Sequence, residues 1–225
     1  MNKISWSLLW VLLVPQAWAV PDGPIADAKP VVAVAPEGAM AARLAYNVGY
    51  EDFEKAQATE AAAAKLTGAP AKAAQAQALQ SYATARKQFE AATKADASLK
   101  EAWNLVGYTS RRLGEYDKSL AAYEQALALN PTYSEAIEYR AEAYLALNRL
   151  DDAKAAYLTL LANARPHAAV LLQSMQQWLV ERRKQPAGVA AADLDAFARW
   201  VDERAAVASQ TASLAPGFVA VRRWD

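Results

Sequence analysis

The chain has 225 residues, no cysteine and a single histidine. The lack of cysteine excludes disulfide staples, thiolate nucleophiles and cysteine-based zinc sites together. A chain without staples must be held by its core, and this one is long enough to bury one. No charge dominates: Lys+Arg and Asp+Glu are both 24. Nucleic-acid binding favours a basic excess or patch, so no nucleic-acid partner is implied. The chain also lacks a Gly-rich phosphate loop, a GxSxG elbow and an HExxH pair. His167 follows Pro166 at an expected helix start, and no motif supplies the nucleophile and orienting carboxylate that a catalytic base needs. It reads as a surface or packing residue. The chain therefore reads as non-enzymatic, with no cofactor and no metal.

The first residues read as an address. Lys3 precedes an apolar run, Ile4 to Val14, which Pro15 breaks; Ala17-Trp18-Ala19 fits the small-x-small cleavage rule. That run falls well short of the ~20 residues that a membrane-spanning helix needs. The expectation is a signal peptide over residues 1–19, cleaved after Ala19, with a periplasmic product that keeps no integral membrane span. Residues 20–39 contain Pro21, Pro24, Pro30 and Pro36 and read as a Pro/Ala-rich linker.

From Met40 onward the chain is rich in Ala, Leu, Lys, Glu and Gln and reads as helix almost throughout. Ala85-x₃-Phe89-x₂-Ala92 is echoed by Ser119-x₃-Tyr123-x₂-Ala126 and by Ala153-x₃-Tyr157-x₂-Leu160. The aromatic recurs at a step of 34 (123 − 89 and 157 − 123). Small–aromatic–small at i, i+4, i+7 covers one helix face. A period of this size signals one helix pair stacked on copies of itself. The units are expected at about 42–99, 100–133 and 134–166. In the second, Gly114 ends the first helix, Asp117 can cap the next, and Leu120, Tyr123, Ala126, Leu127 and Leu129 face inward. Ala141, Asn148 and Asp151 echo Gly107, Gly114 and Asp117. Trp103 and Tyr123 are expected to be buried, with Gly107 allowing two helices to approach closely. The first unit is longer: 36 residues separate Gly49 from Ala85, against 12 between Gly107 and Ser119. It reads as an enlarged hairpin, with helices at about 40–66 and 71–95 and a turn at Thr67–Pro70; the alternative is four repeats, with residues 66–80 as a degenerate helix. Past Pro166 the period is lost. Helices over 167–184 and about 191–209 read as an end cover for the stack, followed by an alternating tail at 218–225.

The order Trp103-x₂-Val106-Gly107, Ser119-x₃-Tyr123, Pro131, repeated as Ile137-x₂-Arg140-Ala141-x₂-Tyr144, Ala153-x₃-Tyr157, resembles the tetratricopeptide repeat (TPR). The resemblance covers residues 42–166. It implies an all-α fold, a TPR-like superhelix of antiparallel helix pairs, with an enlarged N-terminal hairpin and a C-terminal helical cap. It also implies a scaffold whose concave surface is lined by the first helix of each unit and binds a protein or peptide partner. The residues placed there are Tyr46 and Tyr50 with Arg43, then Asn104, Tyr108, Arg111 and Arg112 with Glu101, then Glu135, Glu138 and Glu142. Tyr supplies contact area, Asn bonds peptide groups and Arg takes carboxylates. As plain structure, the three glutamates read as a solvated acidic face, Arg111–Arg112 as dipole-favoured helix-end cations, and either Arg as a partner of Glu142. The subclass that clamps chaperone tails uses Lys-x₃-Arg on its third inner helix; here Glu135-x₃-Tyr139 disfavours that role. A homo-oligomer formed through the enlarged hairpin or the terminal helices is the alternative function.

Overall fold

The computed structural model describes residues 36–214, which form eight helices. They are α1 (Pro36–Ala63), α2 (Gly68–Ala95), α3 (Lys100–Arg112), α4 (Tyr116–Leu129), α5 (Ser134–Ala146), α6 (Leu150–Asn163), α7 (Arg165–Lys184) and α8 (Ala191–Leu214). No strand occurs among the described residues. The expected signal peptide, most of the linker and the alternating tail lie outside them. Each helix packs on the next, and the first helices of successive pairs also touch: α3 meets α5, and α5 meets α7.

The 34-residue period is written in the backbone itself. Asp96, Asn130 and Ala164, each 34 apart, end their helices at φ −143°, −145° and −151°. Gly114 and Asn148, also 34 apart, both leave the first helix in the left-handed region, at φ 77° and 60°. Glycine adopts that conformation without steric cost, and asparagine is the residue that next best tolerates it. Two linkers are fastened alike. Asp96 Oδ1 accepts from the Ser98 amide (2.9 Å) and hydroxyl (2.6 Å), and Asn130 Oδ1 accepts from the Thr132 amide (3.1 Å) and hydroxyl (3.0 Å). These are Asx turns that hand one helix to the next.

Within a pair, an aromatic ring sits where the facing residue is small. A Cβ added at Gly107 would lie 2.5 Å from the Tyr123 ring, and one at Gly49 would lie 2.9 Å from Gln88 Cβ and 3.0 Å from the Phe89 ring. Tyr123 and Phe89 are both fully buried. Ala141 and Tyr157 share one buried cluster in the third pair.

The first pair is indeed one long hairpin. α1 and α2 have 28 residues each, against 13 in α3 and 14 in α4. At ~1.5 Å per residue they are about twice as long as the four helices α3 to α6 that follow. The sequence contains a second pattern that accounts for their pairing. Ala42, Gly49, Ala56 and Ala63 recur every seven residues and are all buried; so are Ala78, Ala85 and Ala92 on α2. A heptad of small residues on both helices lets the two backbones run close over many turns.

Several expectations need correction. α1 begins at Pro36, inside the expected linker, because proline is well suited to the first helical position. The turn of the hairpin lies at 64–67, not Thr67–Pro70; Pro70 falls in the first turn of α2, where no donor is needed. Pro166 likewise lies in the first turn of α7. Asp117 and Asp151 do not cap; Glu115 and Arg149 hold the cap positions without a side-chain bond, and the aspartates act on the helix dipole from the first turn. Leu129 is exposed, and Trp103 is only half-buried, its Nε1 donating to the Ala97 carbonyl at 2.9 Å. α8 runs to Leu214, beyond the expected end near 209.

The Gly107–Tyr123 contact yields a direct test. Gly107→Leu forces the two helices apart, and overpacking of this kind costs about 1–3 kcal/mol. Thermal unfolding followed by circular dichroism is expected to show a clearly lowered midpoint. A variant melting with the wild type would contradict the contact.

Candidate groove on the inner helices

The C-terminal halves of α3 and α5 and the middle of α7 converge on a cavity of about 590 Å³. α3 contributes Tyr108, Arg111 and Arg112; α5 contributes Glu142, Leu145 and Ala146; α7 contributes Val170, Gln173, Ser174, Gln177 and Trp178. Its floor is aromatic and aliphatic, and its walls carry guanidinium, carboxylate, amide and hydroxyl groups.

Ion pairs fix the walls. Arg111 Nη2 meets Glu142 Oε2 at 2.6 Å, and Ser174 Oγ donates to Glu142 Oε1 at 2.9 Å. One carboxylate thus ties α3, α5 and α7 together. Arg112 pairs in the opposite direction with Glu60 of α1, whose other oxygen accepts from the Tyr82 hydroxyl at 2.9 Å. Burial lowers the pKa of Arg111, but the Glu142 carboxylate together with the Tyr123 and Tyr108 phenols outweighs it, and the net shift is upward. Each guanidinium also lies over a ring: Arg111 over Tyr108 at 5.0 Å, Arg112 over Tyr82 at 5.8 Å, and Arg182 over Trp178 at 5.4 Å. Such contacts are worth ~0.5–2 kcal/mol each.

Four of the eleven residues expected on the concave surface line this cavity: Tyr108, Arg111, Arg112 and Glu142. Their character differs from the expectation. Tyr108 is 3% exposed, wedged edge-on against Phe53 (5.1 Å) and Tyr139 (5.0 Å) and tilted against Tyr82 (6.1 Å). It shows the groove only a sliver, so it belongs to the core first. Arg111 is not a solvated helix-end cation; its side chain is 13% exposed.

The other seven do not line the cavity. Tyr46 stacks on Tyr50 at 6.0 Å and leans on Phe89 at 5.6 Å. Burial first, then the neighbouring Tyr50 and Glu101, push the Tyr46 phenol up to about 12. Asn104 is buried and Glu135 half-buried. Glu138 is not part of a solvated face: it is 4% exposed, and its Oε2 lies 2.5 Å from His167 Nδ1. Burial raises the Glu138 carboxyl; the His167 contact opposes this, and Glu142 and Glu135 add to it. His167, read from the sequence as a surface or packing residue, is therefore the link from α7 to the buried carboxylate of α5. Among the described residues, no group of three or more His, Asp or Glu side chains converges as a metal site. No described helix is long and apolar enough to cross a membrane.

The whole α7 wall is absent from the sequence reading, which treated residues past 166 as an end cover. The signal was present: Leu171, Leu172, Met175 and Leu179 are buried while Gln173 and Gln177 are exposed. α7 is thus an inner helix with a polar face of its own. α8 packs behind it through Phe197, edge-on to Trp178 at 5.4 Å, and Trp200, edge-on to Tyr157 at 5.4 Å.

Glu138 gives a pH prediction. A carboxyl raised by burial binds its proton more tightly in the folded chain, so its contribution to stability is lost as pH rises from the ordinary glutamate range through the raised value. The stability of the wild type relative to Glu138→Gln, measured by urea unfolding, is expected to fall from mildly acidic to neutral pH. A constant difference would contradict the burial of an ionisable Glu138.

Two sequence models of the tetratricopeptide repeat match the chain, one over residues 100–133 and one over 122–155. The first match spans α3, α4 and the linker to α5; the second runs from within α4 through α5 into α6. A search of curated proteins finds no match. Residues 100–155 are thus similar to the tetratricopeptide repeat, and the all-helical stack is consistent with it; such repeats serve generally in protein–protein interaction scaffolds.

Proposed function

We propose that the chain is a non-enzymatic scaffold that binds an extended protein segment in the α3–α5–α7 cavity. The observation that carries this reading is the cavity itself. Its ~590 Å³ lies in the range of ligand pockets, and it joins an apolar floor to a few polar groups on three rigid helices. Arg111, Arg112 and Glu142 are already paired with one another or with Glu60, so they shape the walls. The groups left to meet a partner are the Gln173 amide and the carbonyl oxygen of Gln177, whose Nε2 donates to Glu181 Oε1 at 3.2 Å; the two residues lie one turn apart and are exposed. Amide side chains match the alternating donors and acceptors of a peptide backbone.

The test is selection of peptides on the intact chain, followed by affinity measurements on variants. Gln173→Ala with Gln177→Ala is expected to weaken binding at least tenfold while melting stays close to wild type, since exposed substitutions fall within ~0.5 kcal/mol. Tyr108→Ala is expected to cost about 3 kcal/mol of stability, because a fully packed ring is lost. Peptides that bind the double variant as well as the wild type would place the surface elsewhere.

The same proposal puts the scaffold in the cell envelope, as a periplasmic protein exported by residues 1–19. The support is the basic start, the short apolar run and Ala17-x-Ala19. Intact-mass analysis of the secreted product is expected to show Val20 as the first residue. A membrane-bound product that retains Lys3 would contradict it.

A further inference from the structure

The two ends of the helix stack differ. At the C-terminal end, four exposed positions along the middle of α8 are charged, Asp195, Arg199, Asp202 and Glu203, with Ala196 exposed among them and one large apolar residue, Val207, exposed beyond them. A charged outer face is what a repeat stack needs where it stops. At the N-terminal end, α1 instead exposes large apolar side chains one turn apart: Met40 at 74%, Leu44 at 68% and Val48 at 41%.

Leu44 and Val48 belong to a regular outer seam, and Met40 flanks it. Glu37, Ala41, Leu44, Val48, Glu51, Lys55, Ala58 and Ala62 follow one another at alternating steps of four and three, and all eight are exposed. That alternation is the seam of a coiled coil, the line along which one helix meets another. α1 already uses its other side, the Ala42–Gly49–Ala56–Ala63 heptad, against α2. It therefore carries two seams, of which one has no helix on it among the described residues.

The order of side chains along the free seam fits its own reversed copy. Glu37 and Lys55 are centred on position 46, and so are Leu44 and Val48. When two α1 helices lie antiparallel about that point, Leu44 of each copy meets Val48 of the other, and Glu37 of each meets Lys55 of the other. Two apolar contacts are then flanked by two salt bridges, a self-complementary patch of the kind a two-fold interface requires. Neither Glu37 nor Lys55 takes part in an ion pair among the described residues.

We propose that the outer face of α1 docks a second copy of this chain, antiparallel and centred near residue 46, to give a two-fold dimer. No α1 residue lines the α3–α5–α7 cavity, so this inference and the groove reading stand or fall separately. The experiment is sedimentation velocity on the protein as its host processes it, across micromolar concentrations. The wild type is expected to dimerise, and Leu44→Asp to sediment as a monomer that keeps the wild-type helical circular dichroism spectrum. Glu37→Lys and Lys55→Glu are each expected to weaken association several-fold, and the double reversal to recover it. That recovery separates a specific register from plain stickiness. A monomeric wild type would overturn the proposal; in that case either solvent or another part of the same chain covers the seam. A dimer indifferent to Leu44→Asp, or a double reversal no better than the single ones, would overturn it equally.

Discussion

The stack depends on one steric constraint: a ring can enter the gap between two helices only where the facing residue is small, glycine or at most alanine. Gly107 opposite Tyr123 and Gly49 opposite Phe89 meet it, and a Cβ at either position would come within 3.0 Å of its neighbours. The close approach buries the ring completely and sets the separation of the pair. Dispersion and transfer free energy reward such burial, at roughly 1.5–3 kcal/mol for a large side chain. Because the same geometry returns after 34 residues, the turns return with it, down to the left-handed residues Gly114 and Asn148.

The groove is a consequence of that spacing. Stacking places α3, α5 and α7 side by side, so that the C-terminal halves of α3 and α5 meet the middle of α7. α3 is the hub. Arg111 reaches forward to Glu142 and Arg112 back to Glu60, so adjacent side chains on one helix hold both neighbouring units. Tyr108 sits between them, against rings from α1, α2 and α5. Buried pairs of this kind contribute little net stability after desolvation, yet breaking one strands a charge. Their effect is to fix the angle between units, and with it the width of the cavity.

The helix pairs and their period were legible because each has a local cause: a ring at a fixed step, a small residue facing it, and Gly or Asn at the helix end. What escaped the sequence has physical reasons. Met175 stands 34 residues past Ala141 (175 − 141), where a small residue marks the earlier inner helices, so α7 lost its signature while keeping its place. Tyr108 read as exposed because inner helices usually present that position to the groove. Here the long hairpin carries Phe53 and Tyr82 over it. The small-residue heptads of α1 and α2 were hidden in an alanine-rich stretch, because alanine is equally at home on any helix face. The buried Glu138 went unrecognised because its partner, His167, comes from a helix whose position no repeat predicted.

The most direct measurement of the central claim is hydrogen–deuterium exchange on the intact chain, with and without a peptide selected for binding. A segment held in the cavity slows exchange in α7 over 170–178 and at the ends of α3 and α5, over 108–112 and 142–146, the stretches that form its walls. The hairpin tip around 60–72 and the outer helices α4 and α6 stay unchanged. Protection confined to the tip or to the outer helices would contradict a groove-binding scaffold.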